Sequence, residues 1–97
     1  ETMAGYVIAD VEVHDQDAYA EYRKIVGASI EKFGGKFLVR GGDHEVVEGD
    51  WNPHRVVVLE FDSVARVKEW YASAEYAPAL AIRLKATTSK SIVVEGA

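Results

Sequence analysis

The chain has 97 residues, of which 48% are apolar and 28% charged, a composition typical of one globular domain rather than of a disordered segment. Its formal charge of −5 comes with no basic stripe, which argues against a nucleic-acid binder and against a protein that binds an anionic membrane surface. Because the chain has no cysteine, disulfides, thiolate metal sites and cysteine nucleophiles are excluded.

The sequence also carries no targeting signal that we recognise. No apolar run approaches the ~20 residues of a membrane span, and the first residues lack the charged and apolar segments of a secretory signal. We therefore expect a cytoplasmic protein. Met3 resembles a natural start, so we expect one domain over residues 3–97, with Glu1 and Thr2 as a remnant of expression.

The first two predicted elements are a strand and a helix. Apolar residues alternate over Tyr6–Val13, which predicts a strand with one apolar and one mixed face. Asp15 is suited to cap a helix that ends at Gly34 and Gly35, one of which we expect in the left-handed conformation. The apolar stripe of this helix, at spacings of three and four, consists of Tyr19, Tyr22, Val26, Ile30 and Phe33.

The middle of the chain predicts two more strands. Lys36–Arg40 is the second strand, and we expect it to continue over His44–Glu48 after a bulge at Gly41–Gly42. Gly49–Pro53 has the composition of a turn. His54–Phe61 contains a run of β-branched residues, which predicts a third strand buried on both faces.

The last third predicts two helices and a strand. Ser63 is placed to cap the second helix. Pro78 suits the first turn of a separate short helix that runs through Leu84. Thr88–Glu95 is predicted to be the closing strand.

The order βαββαβ predicts an α+β, ferredoxin-like sandwich with a four-stranded antiparallel sheet. Right-handed crossovers place the third strand between the first two and the fourth strand beside the first. Both helices then cover the same face of the sheet. The opposite face still carries apolar residues, and a second copy of the sheet is the simplest cover for it, so we expect a homodimer.

This topology brings the ends of the first two strands and the beginnings of the last two to one rim. The start of the first helix lies there too, and its free N–H groups favour an anion. The side chains expected at the rim are His14, Asp15, Arg40, Glu48, Trp51, His54 and Arg55, together with Arg83 and Lys85.

The arginines and glutamates of this set have two interpretations each. Arg40 and Arg55 could bind the carboxylate of a small organic ligand, because guanidinium groups hold carboxylates bidentately; with Glu48 they could instead form salt bridges that fix the loop or the dimer. Glu60 and Glu48 are the candidate catalytic residues. If Glu60 is buried in its apolar strand, its pKa would rise, as a general base requires; otherwise it pairs with an arginine or faces solvent.

Three aromatic residues complete the candidate site. Trp51 lies in a polar loop, where it could stack on a ligand or pack against a partner subunit. Trp70 and Tyr76 are candidate ligand contacts that could equally be core residues. No metal or cofactor is predicted, since the glycine pairs match no nucleotide-binding motif and the histidines show no metal-binding spacing, although the rim could bring two of them beside Glu48.

Many of these positions resemble the DUF1330 family. The resemblance rests on polar, glycine and aromatic residues in fixed order along nearly the whole chain: Asp15, Tyr19, Tyr22, Gly34-Gly35, Leu38-Val39-Arg40-Gly41-Gly42, Glu48-Gly49-Asp50-Trp51, Pro53, Arg55, Glu60-Phe61, Trp70-Tyr71, Ser73, Glu75, Tyr76 and Arg83. It implies the dimeric α/β barrel superfamily, whose members include cofactor-free monooxygenases, small isomerases and haem enzymes.

DUF1330 is itself an uncharacterised family, so the resemblance implies a fold and no reaction. Two functions are therefore expected. The first is a cofactor-independent enzyme that acts on a small molecule in a pocket of the dimeric barrel. The alternative is a non-catalytic dimer that binds a metabolite or another protein.

Overall fold

The structure is a computed structural model that describes residues 3–97. The interpretation of Glu1 and Thr2 as a remnant lies outside the described residues. The chain forms seven elements: β1 (Gly5–Val13), α1 (Gln16–Lys32), β2 (Lys36–Arg40), β3 (Val56–Phe61), α2 (Val64–Tyr71), α3 (Ala77–Ala86) and β4 (Thr87–Glu95).

The four strands form one antiparallel sheet in the order β2-β3-β1-β4. This confirms the predicted ferredoxin-like topology. The three helices lie on one side of the sheet, where α2 packs on β1, β3 and β4 while α1 packs mainly on α3. A cavity lies between α1 and the sheet.

The predicted helix ends are confirmed. The Asp15 carboxylate accepts a hydrogen bond of 3.1 Å from the Ala18 N–H at the start of α1. The Ser63 hydroxyl accepts one of 3.0 Å from the Arg66 N–H at the start of α2. Gly34, with φ of +77°, is the left-handed residue that ends α1.

The predicted continuation of the second strand over His44–Glu48 is wrong. β2 ends at Arg40, and Gly41, with φ of +71°, turns the chain while its N–H donates to the Val56 carbonyl over 2.8 Å. A strand requires a neighbour, and β3 begins only at Val56, so this segment has no partner strand among the described residues.

Two smaller corrections concern the same region. The bulge lies inside β2, between Phe37 and Val39, rather than at the glycine pair. β3 begins two residues later than predicted, because the His54 N–H donates to the Asp10 carboxylate over 2.8 Å instead of joining the sheet.

The two faces of the sheet differ in cover. On the helix side, Leu59 and Phe61 pack with Val67, Trp70 and Tyr76 in the main hydrophobic core. The opposite side has no covering element in residues 3–97. We call it the bare face, and it consists of Tyr6, Ile8, Asp10, Val56, Val58, Glu60, Ile92 and Val94.

The bare face leaves apolar side chains in water. Ile92 is 59% exposed and Val94 is 40% exposed.

Within residues 3–97, no helix is both long enough and apolar enough to cross a membrane.

Candidate functional site

A cavity of about 270 Å³ lies between α1 and the sheet. Its floor is apolar, because alternate residues of β1 and β3 point toward the helices. The lining residues are Val7, Ala9, Val11, Tyr19, Tyr22, Arg23, Val26, Phe37, Arg40, Arg55, Val57, Leu59, Val67, Lys68, Trp70, Tyr71, Tyr76, Arg83, Ser91 and Val93.

The charges of this cavity are all of one sign. Arg23, Arg40, Arg55, Lys68 and Arg83 line it, and no aspartate or glutamate of residues 3–97 does. The chain as a whole carries a formal charge of −5. The cavity therefore carries a positive charge although the chain as a whole carries a negative one.

Arg83 is the most buried of these cations. It is 9% exposed, and its Nε donates a hydrogen bond of 3.2 Å to the hydroxyl of the buried Tyr76. No carboxylate of residues 3–97 lies within salt-bridge distance of it. A buried charge without a counter-ion is costly, which makes this guanidinium a candidate contact for an anion.

Tyrosine hydroxyls surround the same guanidinium. Burial, together with the neighbouring Tyr76, raises the pKa of Tyr22. The Tyr22 hydroxyl is therefore protonated at neutral pH and can donate a hydrogen bond to a bound oxygen atom.

Arg55 and Arg40 form a second basic group. Arg55 donates from Nε to the Tyr19 hydroxyl over 3.1 Å and from Nη2 to the Arg40 carbonyl over 3.3 Å. The Arg40 guanidinium lies 4.2 Å from the centre of the Phe37 ring and donates to the Arg23 carbonyl over 3.4 Å. Both groups are thus held by neutral acceptors, which leaves their charge uncompensated.

An aromatic wall is fixed beneath α2. The Trp70 indole N–H donates to the Ser29 hydroxyl over 3.1 Å, and the Trp70 ring centre is 4.0 Å from that of Tyr76 and 5.3 Å from that of Phe61. This wall belongs to the core and also borders the cavity, so the two interpretations of Trp70 and Tyr76 are compatible.

Five of the predicted site residues line the cavity, namely Arg40, Arg55, Trp70, Tyr76 and Arg83. Glu60 does not. It lies on the bare face, where it accepts a hydrogen bond of 2.8 Å from the Tyr6 hydroxyl and pairs with Lys36 at 3.2 Å. The Tyr6 hydrogen bond and the Lys36 charge lower the pKa of Glu60, which is opposite to the rise expected of a buried base.

The remaining rim residues are divided between two places. Glu48 lies in the exposed segment after β2. Trp51, 59% exposed, donates from its indole to the Asp10 carboxylate over 3.2 Å, on the bare face. Although partial burial opposes ionisation, the hydrogen bonds from the His54 N–H and from Trp51 lower the pKa of Asp10. The expected gathering of all these residues at one site is therefore not found within one chain.

The other rim residues have local partners. Asp15 caps α1, and the His14 ring lies 2.6 Å from the Thr88 hydroxyl. Across the part of the chain that is described, no three histidine or acidic side chains are grouped so as to hold a metal ion.

The lining residues that the sequence did not single out include the tyrosines Tyr19, Tyr22 and Tyr71 and the cations Arg23 and Lys68. A signal was present in α1, since Tyr19, Tyr22 and Arg23 are three and four residues apart and share one helix face. The tyrosines were interpreted as ordinary core, and nothing in the sequence indicated that α1 and the sheet enclose a cavity.

The sequence profile of one family, described as a domain of unknown function (DUF1330), matches residues 4–97. The chain belongs to this family. The resemblance noted in the sequence is thereby confirmed, and the DUF1330 match covers every residue that lines the cavity. A search of curated proteins found no match.

Solved structures share this DUF1330 fold. RPA0582 from Rhodopseudomonas palustris, a protein of unknown function, is 22% identical with a TM-score of 0.79, over 100% of this chain and 85% of that one. SnoaB from Streptomyces nogalater, a cofactor-independent oxygenase, is 11% identical with a TM-score of 0.66, over 96% and 92%. A possible oxidoreductase from Bacteroides thetaiotaomicron is 12% identical with a TM-score of 0.64, over 98% and 99%. These likenesses confirm the ferredoxin-like fold of dimeric α/β barrels.

Proposed function

We propose that this DUF1330 protein binds a small, largely apolar organic anion in the cavity between α1 and the sheet. The observation that carries the proposal is Arg83, a buried cation without a carboxylate partner in residues 3–97, in a cavity whose other charged lining residues are all basic. The predicted ligand contacts Arg40, Arg55, Trp70 and Tyr76 border the same space.

The size and chemistry of the cavity narrow the ligand. About 270 Å³ lies just below the ~300–1,000 Å³ typical of sites for drug-sized molecules, so the ligand is small. The floor of valine, alanine and leucine side chains favours an apolar body. The guanidinium groups supply bidentate donors for a carboxylate or a similar oxyanion.

A cofactor-independent enzyme is the second candidate, and one arrangement favours it. The Tyr22 and Tyr76 hydroxyls and the Arg83 guanidinium are close together, and Tyr76 and Arg83 are both buried. Such donors stabilise negative charge that develops on a substrate oxygen during a reaction. The lining residues in 3–97 include no histidine or carboxylate, so the substrate would have to be acidic enough to ionise without a strong protein base.

Glu60, Glu48 and Trp51 lie outside the cavity of one chain, and their predicted roles stay predictions. The proposed function does not depend on them. If a dimer places the bare face inside a barrel, Glu60 would face that interior.

The proposal is tested with a thermal-shift screen of organic acids on the purified protein. A ligand at 100 times its Kd adds about 2.7 kcal/mol to the free energy of unfolding, which gives a measurable rise in Tm. Arg83→Met should abolish this rise while it leaves the unliganded protein folded, because no carboxylate of residues 3–97 pairs with Arg83 and its removal leaves no buried counter-ion unpaired.

The control is Lys24→Met, which removes an exposed positive charge on α1 that is paired only with Glu21. This variant should keep the full ligand-induced shift. The proposal is wrong if no acid raises Tm, or if the rise is the same in Arg83→Met and in the native protein.

The enzyme candidate has a separate test. A ligand identified in the screen is incubated with the protein in air, and its conversion is followed by mass spectrometry. Tyr22→Phe should reduce turnover while the ligand-induced Tm shift persists. A ligand recovered unchanged after prolonged incubation would favour the binding protein over the enzyme.

The proposed assembly is a homodimer. The bare face exposes apolar side chains such as Ile92 and Val94, and burial against a second sheet would remove them from water. The similar solved structures support the fold on which this assembly is built.

The proposed location is the cytoplasm. Since it has no cysteine, the chain needs no oxidising compartment to form disulfides. Fractionation of the source cells with antibody detection checks this, and recovery in a secreted or membrane fraction would contradict it.

A further inference from the structure

We infer that the ligand of this cavity is a dianion, an apolar molecule with an acidic group at each end. The inference rests on the proposed function and adds to it the number and placement of the ligand charges. It comes from the two separate basic groups that the cavity contains.

The two groups are built in the same way. Arg83 donates its Nε to the Tyr76 hydroxyl, and Arg55 donates its Nε to the Tyr19 hydroxyl. In each case a neutral tyrosine oxygen fixes the side of the guanidinium. The terminal nitrogen atoms of Arg83 have no hydrogen-bond partner in residues 3–97, and neither of them is fully buried.

The second basic group, Arg55 with Arg40, also lacks a carboxylate partner in residues 3–97. Arg55 uses Nη2 on the Arg40 carbonyl, and no carboxylate of residues 3–97 pairs with either arginine. Arg40 adds a second positive charge there and Arg23 lines the cavity nearby. One singly charged ligand at Arg83 would leave these cations uncompensated.

Different tyrosines hold the two groups. Arg55 contacts Tyr19, whereas Arg83 contacts Tyr76, which neighbours Tyr22. The Tyr19 and Tyr22 rings are stacked with their centres 5.4 Å apart. A molecule with an apolar middle and two acidic ends could pair with both arginines at once.

The experiment compares linear dicarboxylates, from succinate to suberate, with their own monomethyl esters by calorimetry at fixed ionic strength. Each ester has nearly the shape of its diacid and one charge less. The best diacid should bind roughly 10- to 100-fold more tightly than its ester, as expected for one further charge-assisted pairing.

Variants separate the two ends. Arg83→Met and Arg55→Met should each reduce the affinity of the diacid to about that of its ester, while Lys24→Met should leave it unchanged. Tyr19→Phe is a milder second variant, which removes the hydroxyl that positions Arg55 and should weaken the diacid more than an ester held at Arg83. Circular dichroism confirms that each variant is folded.

The outcomes distinguish this inference from the proposed function. Equal affinities for diacid and ester, with loss only in Arg83→Met, would overturn the dianion and leave the anion-binding function in place. Affinity that is insensitive to both arginine variants would overturn both. A diacid preference that is lost in either arginine variant and retained in Lys24→Met supports the dianion.

Discussion

The Arg55 guanidinium is held in place by a tyrosine hydroxyl, a backbone carbonyl and a neighbouring glycine. The Arg55 guanidinium rests against the backbone at Gly41 while Tyr19 and the Arg40 carbonyl accept its hydrogen bonds. This placement turns a mobile surface arginine into a fixed donor at the edge of the cavity. The geometry of the anion site therefore depends on the absence of a side chain at Gly41.

Gly41→Ala is expected to disturb both stability and binding. Its φ of +71° is unfavourable for a residue with a Cβ atom, and that Cβ would overlap the Arg55 guanidinium. We expect a loss of about 1–3 kcal/mol in the free energy of unfolding and weaker binding of the organic acid. Urea unfolding and calorimetry measure the two effects.

The neighbouring glycine provides the matched control for this experiment. A Cβ at Gly42 would meet nothing within 4 Å, and its φ lies outside the left-handed region. Gly42→Ala should leave both stability and ligand affinity nearly unchanged. Equal effects of the two substitutions would contradict the role given to Gly41.

The contribution of Glu60 to stability is expected to depend on pH. Its pKa in the folded protein lies below the ordinary 4.5, because Tyr6 and Lys36 favour the ionised form. The ionised carboxylate therefore stabilises the fold above pH 4.5, and this contribution is lost as the pH falls through the lowered pKa. The stability difference between the native protein and Glu60→Gln should shrink in urea titrations from pH 6 to pH 3. Glu45→Gln, in the exposed segment after β2, is the control variant, and an equal pH dependence in the two variants would contradict the role given to Tyr6 and Lys36.

The site was only partly predictable at the residue scale. Arg40 and Arg55 could be placed together because they lie at the adjoining ends of neighbouring strands. Glu60 was grouped with them, although strand alternation puts it on the same face as Val58 and opposite Leu59. The Trp51 contact with Asp10 depends on the path of an irregular loop, for which the sequence contains no periodic signal.

The start of β1 lies in close contact with the start of α2. A Cβ on Gly5 would lie 2.5 Å from the backbone carbonyl carbon and oxygen of Ser63 and from the Val64 nitrogen. Because these are backbone atoms of the α2 cap, they cannot rotate away as a side chain would. The close approach of strand and helix therefore requires glycine.

Two glycine substitutions are expected to act in opposite directions. Gly5→Ala should force β1 and α2 apart and cost about 1–3 kcal/mol, as overpacking usually does. Gly27→Ala, inside α1 where a Cβ would meet nothing within 4 Å, should stabilise the protein by about 0.5–1 kcal/mol through helix propensity. Thermal and urea unfolding measure both changes, and a destabilised Gly27→Ala would contradict the account of α1.

Sequence patterns predicted the elements well where local chemistry decides them. The caps Asp15 and Ser63 and the left-handed Gly34 act within a few residues, so they could be recognised without knowing the fold. The segment His44–Glu48 contains two adjacent valines, which favour a strand, but it has no partner strand in residues 3–97. Strand formation depends on a neighbour far away in the sequence, which the pattern alone cannot supply.

The whole molecule combines a negative exterior with a basic cavity. Sixteen acidic side chains and 11 basic ones leave a formal charge of −5, yet no acidic side chain of residues 3–97 lines the cavity. The exterior field thus opposes the approach of an anion, and binding depends on short-range pairing inside. The sheet separates this cavity from the bare face, so the proposed ligand site and the proposed dimer interface lie on opposite sides of the same four strands.

The homodimer is tested with two exposed apolar residues on opposite surfaces. Light scattering after size exclusion should give twice the chain mass of 10.7 kDa for the native protein. Ile92 is 59% exposed on the bare face. The Ile92→Lys variant should be monomeric, because a dimer would bury and desolvate the new charge. Leu84 is 62% exposed on the outer side of α3, and Leu84→Lys should remain dimeric. A monomeric native protein at micromolar concentration, or a dimer that survives Ile92→Lys and dissociates in Leu84→Lys, would contradict the assembly through the bare face.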